Sequence, residues 1–252
     1  MTTRPLTAVA VVQARMGSTR FPGKSLAEVE DWTVLGLLLA RLTEARELDE
    51  VVVATSDRAS DDAIEVAAAI AGFPTVRGPR DDVLTRYTLA AASHPSDLVV
   101  RICADNPLTD PLQVDALVQF ARDGGYDLAH NNVAECGLPD GVGAEVMTAD
   151  ALRRLDNQAI SLPHREHVTL FAYDNPDAFR LGRLDTTDDQ VSSPWRLDVD
   201  YPEDLEFIRA LYRLLPEGRA PFWSTAEIVA VLEEHPDLAR LRRQGAAAGV
   251  RN

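Results

Sequence analysis

Short unbroken apolar runs alternate along the first half of the chain with longer stretches whose apolar residues recur every three or four positions. Ala8–Ala14, Glu50–Thr55 and Asp97–Cys103 are runs of the first kind, and Phe73–Arg77 and Tyr126–His130 are shorter ones. A run with no polar alternation predicts a strand buried on both faces. Between the runs, Leu35, Leu38, Leu39 and Leu42 fall on one helical face. Asp61–Ala71, with Ser60 as N-cap, Asp81–Ala92 and Pro111–Ala121 also carry helical spacing. This alternation predicts an α/β fold with a mostly parallel sheet and helices on both faces. Ligands in such sheets bind beyond the carboxyl ends of the strands.

The second half is less regular. Gly137–Gly143 is a Gly/Pro/Asp-rich loop, followed by a predicted strand near Glu145–Met147. Helices are expected at Ala149–Asp156 and Pro163–Ala172, and strands at Phe179–Leu184 and Trp195–Val199. Pro202–Leu214 is an amphipathic helix, with Pro202 suited to its first turn and Glu203 and Asp204 to its positive dipole end. Ser224–Glu234 is another helix, and the Gly/Ala-rich tail after Arg243 is expected to fray. Without repeats or a clear linker, the 252 residues are expected to form a single domain over 1–252.

Composition narrows the function. The net charge of −15 disfavours a general nucleic-acid binder, because a polyanion is repelled unless basic residues are concentrated locally. The two cysteines, Cys103 and Cys136, are far apart and suggest neither a disulfide framework nor a zinc knuckle. Met1–Thr7 lacks the apolar core of a signal peptide, and no apolar stretch approaches a membrane span. A soluble, cytoplasmic protein is expected.

The densest chemistry follows the first strand. Gln13–Lys24, QARMGSTRFPGK, sets Arg15, Arg20 and Lys24 around Gly17, Ser18, Thr19 and Gly23. Small residues let backbone N–H groups approach phosphate oxygens, and three cations can neutralise a triphosphate. The alternative is a solvated basic loop. Asp105 follows one predicted strand, and Asp198 and Asp200 lie on one face of another. Carboxylates at strand ends can hold Mg²⁺ against phosphates, or can simply cap the next turn. Asn131 and Asn132 follow the Tyr126–His130 strand, Asp140 lies in the Gly-rich loop, and Glu145 stands where that loop enters the next strand. Either group can hydrogen-bond a polar ligand or serve an ordinary turn. In His164–His167, the histidines are three apart with no third ligand in view, which disfavours zinc. Trp195, Phe222 and Trp223 suit a core or an interface.

QARMGSTRFPGK resembles the signature loop of the CMP-sugar synthetase group of cytidylyltransferases, in the branch containing the spore coat polysaccharide biosynthesis protein SpsF. VVVATSDRASDD at Val51–Asp62, DDVLTRY at Asp81–Tyr87 and VRICADNPLTDP at Val100–Pro111 extend the likeness. LPDGVGAEVMT at Leu138–Thr148, REHVT at Arg165–Thr169 and RLDVDYPEDLEFIR at Arg196–Arg209 continue it in the same order. The resemblance covers roughly Val9 to Leu241.

The resemblance implies a Rossmann-like nucleotidyltransferase fold and Mg²⁺-dependent transfer of CMP from CTP to a small, sugar-like acceptor with release of pyrophosphate. It also implies a homodimer. It divides the chain into a nucleotide-binding half (8–132), an acceptor and dimerisation region (133–200) and C-terminal helices (201–243). Arg15, Lys24, Asp105 and Asp200 become the catalytic candidates, the two aspartates as the metal ligands. Gln13, Ala14, Arg15, Gly17, Ser18, Thr19, Arg20, Lys24 and Asp82 become the nucleotide site. Arg165, Glu166 and His167 fall near the acceptor or the dimer interface, and join Asn131, Asp140 and Glu145 as acceptor candidates. Two departures concern the acceptor. Glu30-Asp31-Trp32-Thr33 stands where relatives commonly carry Gly-Lys-Pro, and Ala104-Asp105-Asn106-Pro107 where they carry Gly-Asp-Cys-Pro. Two rivals stay open: a glycosyltransferase using a nucleotide-sugar donor, for which Asp198-Val199-Asp200 has the DxD form, and a non-catalytic nucleotide-binding protein.

Overall fold

The computed structural model describes residues 6–186 and 191–242. The tail expected to fray after Arg243 lies outside them. The strands are β1 (Ala8–Gln13), β2 (Glu28–Val29), β3 (Trp32–Thr33), β4 (Glu50–Ser56), β5 (Thr75–Gly78), β6 (Leu98–Cys103), β7 (Leu128–His130), β8 (Glu145–Thr148) and β9 (Leu181–Arg183). The helices are α1 (Val34–Leu42), α2 (Asp62–Ile70), α3 (Val83–Ser93), α4 (Pro111–Gly124), α5 (Ala149–Gln158), α6 (Leu162–Glu166), α7 (Leu170–Asp174), α8 (Pro202–Leu214) and α9 (Thr225–Glu234).

Seven strands form one sheet in the order β5-β4-β1-β6-β8-β7-β9. β1 pairs in parallel with β4 and β6, and β4 with β5, so four carboxyl ends share one edge. β8 runs antiparallel to both β6 and β7. This is the expected mostly parallel α/β fold.

The period of two along each strand builds two cores. Ala8, Ala10 and Val12 pack on one face with Leu35, Leu38 and Leu39 of α1 and Val114 and Leu117 of α4. Val9 and Val11 pack on the other with Leu84 and Tyr87 of α3 and Leu152 and Leu155 of α5. α1 has only nine residues, too few for a stable isolated helix. Its buried leucines hold it, at roughly 1.5–3 kcal/mol for each fully buried side chain. A third core, around Val29, Leu197, Val199, Phe207 and Trp223, joins α8, α9 and the β2–β3 hairpin.

Three local expectations differ. Ser60 does not cap α2; the N-cap is Asp61, whose carboxylate is used elsewhere. The expected Pro163–Ala172 helix divides into α6 and α7, because the chain turns at His167 to bury Val168 in the core under α3. Trp195–Val199 is extended but joins no strand. It bonds to loops instead: Leu197 N–H donates to Asp140 O (2.7 Å) and Val199 N–H to Asp105 O (2.8 Å). The β2–β3 hairpin occupies the stretch that holds Glu30-Asp31-Trp32-Thr33.

Candidate active site

The chain leaves β1 at the shared carboxyl edge and enters the basic loop. Asp61, buried at the start of α2, anchors it: one carboxylate oxygen accepts from Met16 N–H (2.9 Å) and the other from the Ser56 hydroxyl. Met16 O in turn accepts from Ser18 N–H (3.0 Å) and Gly23 N–H (2.9 Å), which folds the loop back on itself. Gly23 has φ of 78°, a left-handed conformation that a side chain resists. It directs Lys24 inward. Among the described residues, the backbone N–H groups of Gly17, Thr19 and Arg20 have no hydrogen-bond partner.

Lys24 is the centre of the arrangement. Its Nζ donates to Asp105 Oδ2 (2.6 Å) and to Asp200 Oδ1 (2.8 Å), and its side chain is 11% exposed. Arg20 approaches the other oxygen of Asp200 (2.9 Å), with its guanidinium over the Tyr201 ring. Burial alone would lower the Lys24 pKa, but Asp105 and Asp200 overcome it and hold the ammonium above its ordinary value. Burial would likewise raise Asp200, yet Lys24 and Arg20 hold that carboxyl below the usual range. Lys24 and Asp200, 176 residues apart, thus meet, and two carboxylates share one cation.

The Asp105 turn is fixed from below by Arg41, a fully buried residue of α1. Its guanidinium donates to the carbonyls of Thr109 (3.1 Å) and Trp223 (2.9 Å), among others. Asp110 caps α4 and accepts from Thr225 N–H (2.8 Å) at the start of α9. The C-terminal helices are therefore clamped against the loop that carries Asp105. Across that loop, Gly141 (φ +89°) lies so close to the Asp198 backbone that an added Cβ would sit 2.8 Å from its N.

Asp198 and Asp200, two residues apart, pair with different cations. Asp198 pairs with Arg196 (2.6 Å) and Arg242 (3.4 Å). Burial and the charge of Asp140 push the Asp198 carboxyl up to about 6. Asp140 itself lies 3.4 Å from Arg196, and burial raises it too.

Arg15 contacts Glu166 of α6 (3.3 Å). The neighbouring Arg165 is held by Asp82 through Nε (3.0 Å to each oxygen), by Thr85 and by Asp156. Asp82 also caps α3, and Arg165 and Thr85 outweigh burial to hold its carboxyl below the ordinary range. A nucleotide candidate and an acceptor candidate thus meet each other. Gln13 accepts from the Tyr87 hydroxyl (3.1 Å), and Ala14 is buried with its N–H on Ala54 O. Ser18 accepts from Phe21 N–H, while Thr19 is exposed.

Two acceptor candidates are buried in the scaffold. Asn131 donates to Gln113 O and accepts from Ala144 N–H. Glu145 pairs with Arg101 (2.5 Å) directly across the β6–β8 ladder and accepts from the Tyr173 hydroxyl (2.7 Å). His167 is half-buried at the break after α6. His164 pairs with Asp174 (2.9 Å). Among the described residues, no three His, Cys, Asp or Glu side chains converge on a metal position.

Two adjoining cavities open beside Arg15. One, of about 460 Å³, is lined by Arg15, Gly17, Ser56, Arg58, Asp61 and Arg80. The other, of about 520 Å³, shares Arg58 and Arg80 and reaches Asp82 and Arg165. Volumes of this order hold small-molecule ligands. Arg58 and Arg80 are absent from the sequence-based site, although each follows the carboxyl end of a strand, where the edge rule points. Arg86 of α3 was missed as well. It is 2% exposed, and its Nε and Nη1 have no hydrogen-bond partner among the described residues. Burial lowers its pKa, and the charge of nearby Arg15 contributes.

Residues 9–230 match the family model described as Cytidylyltransferase. The chain is 33% identical over 237 residues to the spore coat polysaccharide biosynthesis protein SpsF of Bacillus subtilis, covering 92% of this chain and 96% of that one. It superposes on a cytidylyltransferase from Leptospira borgpetersenii with a TM-score of 0.86 and 28% identity, over 94% of this chain and 98% of the other. A CMP:2-keto-3-deoxy-manno-octonic acid synthetase complexed with CTP shares the fold, with a TM-score of 0.63 and 22% identity over 82% of this chain and 98% of that one.

Proposed function

This chain belongs to the cytidylyltransferase family and is a CTP-dependent nucleotidyltransferase, and from that premise we propose that it transfers CMP from CTP to a hydroxyl of a small, sugar-like acceptor. The acceptor oxygen forms a bond to the α-phosphorus, the bond to the β-phosphate breaks, and pyrophosphate leaves. The observation that carries this reading is the convergence of Lys24 and Arg20 on Asp105 and Asp200, beside a loop with free backbone donors.

The catalytic assignment is Arg15, Lys24, Asp105 and Asp200. The unbonded N–H groups of Gly17, Thr19 and Arg20, with the cations of Arg15, Arg20 and Lys24, bind and orient the triphosphate. Gln13, Ala14 and Ser18 shape that loop from behind. The nucleoside lies across the two cavities that share Arg58 and Arg80, between Ser56 in one and Asp82 in the other. Asp105 and Asp200 suit Mg²⁺, which takes one or two carboxylates and completes its shell with phosphate oxygens and water. Bound there, the ion would offset charge that develops on the triphosphate during transfer. Catalysis then rests on positioning and charge neutralisation.

Of the acceptor candidates, Glu166 keeps an exposed carboxylate and Asp140 a partly exposed one, and both are assigned to acceptor hydroxyls, with Arg165 and His167 alongside. Asn131 and Glu145 act from within the wall. The protein is also assigned as a homodimer. Ile160, 91% exposed just before α6, and Leu162, 78% exposed at its start, offer apolar surface for it. Light scattering at about 10–50 µM, a range that captures ordinary interfaces, should give twice the 27.5 kDa chain mass; a monomer would exclude the dimer. No helix among the described residues is long and apolar enough to cross a membrane.

The reaction is tested by measuring pyrophosphate release from CTP, UTP, ATP and GTP against sugar acids, sugar phosphates and phosphonates. Release is expected with CTP and to depend on the acceptor. Release that ignores the nucleotide base or needs no acceptor would refute the reading.

A further inference from the structure

Lys24 and Arg20 carry two positive charges, and Asp105 and Asp200 two negative ones. The four groups are in direct contact, with Lys24 bridging the carboxylates at 2.6 and 2.8 Å and Arg20 capping Asp200 at 2.9 Å. The pair of carboxylates is therefore already neutralised by the protein itself. A divalent cation arriving alone would meet a lysine ammonium at the point where the two carboxylates converge, and its binding would leave two uncompensated positive charges. A triphosphate changes that balance. It attracts Lys24 and Arg20, which belong to the same loop as the unbonded N–H groups of Gly17 and Thr19. As the cations turn to the phosphates, the carboxylates are freed for the metal.

We infer that the Lys24 ammonium is an internal counter-ion holding the divalent-cation position of the free protein, so that the triphosphate binds first and unmasks that position. The inference rests on the proposed reading of Asp105 and Asp200 as the cation-holding pair. Lys24 has two roles in it. Before the nucleotide arrives, it keeps two partly buried carboxylates together that would otherwise repel each other. Afterwards it binds phosphate. Because coupling between two ligands is reciprocal, the metal must also tighten triphosphate binding by the factor by which the triphosphate tightens the metal. Arg20, at 45% side-chain exposure and on one aspartate alone, is the weaker competitor. Lys24 dominates because it is buried and touches both.

The test uses Mn²⁺ alone as the probe, followed by electron paramagnetic resonance on the full chain without nucleotide. Lys24→Met and Lys24→Gln should each bind Mn²⁺ at least about tenfold more tightly than the wild type, while Lys24→Arg should stay as weak as the wild type. Calorimetry in EDTA should show CTP binding to the wild type, and weaker CTP binding to Lys24→Met. Lys24→Met and Lys24→Gln that bind Mn²⁺ no better than the wild type would overturn the inference. Should neither variant fold, the wild type decides alone: tight Mn²⁺ binding without nucleotide, with no CTP binding in EDTA, overturns it. Asp105→Asn and Asp200→Asn, each titrated with Mn²⁺ in the presence of CTP, separate the two claims. If Mn²⁺ binding survives in both, the cation-holding pair is wrong. If both lose Mn²⁺ but Lys24→Met gains nothing, the pair stands and the counter-ion role falls.

Discussion

Asp198 and Asp200 are separated by a single residue, yet their carboxylates serve different cations: Asp200 faces Lys24 and Arg20, and Asp198 faces Arg196 and Arg242. The split leaves Asp200 with the two cations of the basic loop and Asp198 with Arg196 and Arg242. It predicts unequal consequences. Asp200→Asn should lower kcat on the order of 100-fold or more while changing CTP affinity far less, since charge compensation is worth most in the transition state. Asp198→Asn should cost much less. Steady-state kinetics at saturating Mg²⁺ decide it, and a larger loss in Asp198→Asn would move the assignment to that residue.

Arg15→Ala and Arg20→Ala should each weaken CTP binding by roughly 10–100-fold, the range for a charge-assisted phosphate hydrogen bond of about 1.5–3 kcal/mol. The CTP dissociation constant measured by calorimetry is the check. Unchanged affinity in both, with folding intact, would remove the triphosphate from this loop.

Arg86→Met should leave the melting temperature equal to or above that of the wild type. The guanidinium is buried and two of its nitrogens lack partners. Such a group costs about 1–3 kcal/mol, and methionine keeps the apolar stem. CTP affinity should fall severalfold, because a positive charge near Arg15 is lost. A marked drop in melting temperature would show that the guanidinium supports the fold.

Asp82→Asn tests the clamp between α3 and α6. The Asp82 carboxyl is held below its ordinary value of 3.8 by Arg165 and Thr85, despite burial. A depressed folded-state pKa adds stability above the unfolded pKa and loses it as pH falls through the folded one. The variant should therefore melt about 2–4 °C below the wild type at neutral pH, the shift that about 1 kcal/mol gives in a domain of this size. The gap should close as pH falls below about 4. A gap that persists in acid would mean that packing, not charge, is responsible.

The sheet was legible because its central strands are continuous apolar runs, as Ala8–Gln13 and Glu50–Ser56 show. The basic loop was legible because small and cationic residues are adjacent in sequence. Pairings between distant residues were not. Glu145 looks like a polar residue at the mouth of a loop, opening a strand, until the β6–β8 register sets it opposite Arg101. Nothing local marks Lys24 as the partner of Asp200, 176 residues away. Asp61 reads as a helix-start acid, and only the fold turns its carboxylate onto Met16 N–H. Arg86 hides in a helical pattern as one more charged residue.

The central claim is that the α-phosphate of CTP moves to an acceptor. CTP labelled separately at the α- and γ-phosphorus, incubated with the acceptor that supports pyrophosphate release, tests it in one measurement. The α-label should appear in a CMP–acceptor conjugate and the γ-label in pyrophosphate, in equal amounts, with both signals lost together in Asp200→Asn. Label that stays in CTP while a nucleotide-sugar donor is consumed, or α-label that ends as free CMP whether or not acceptor is present, would contradict the account.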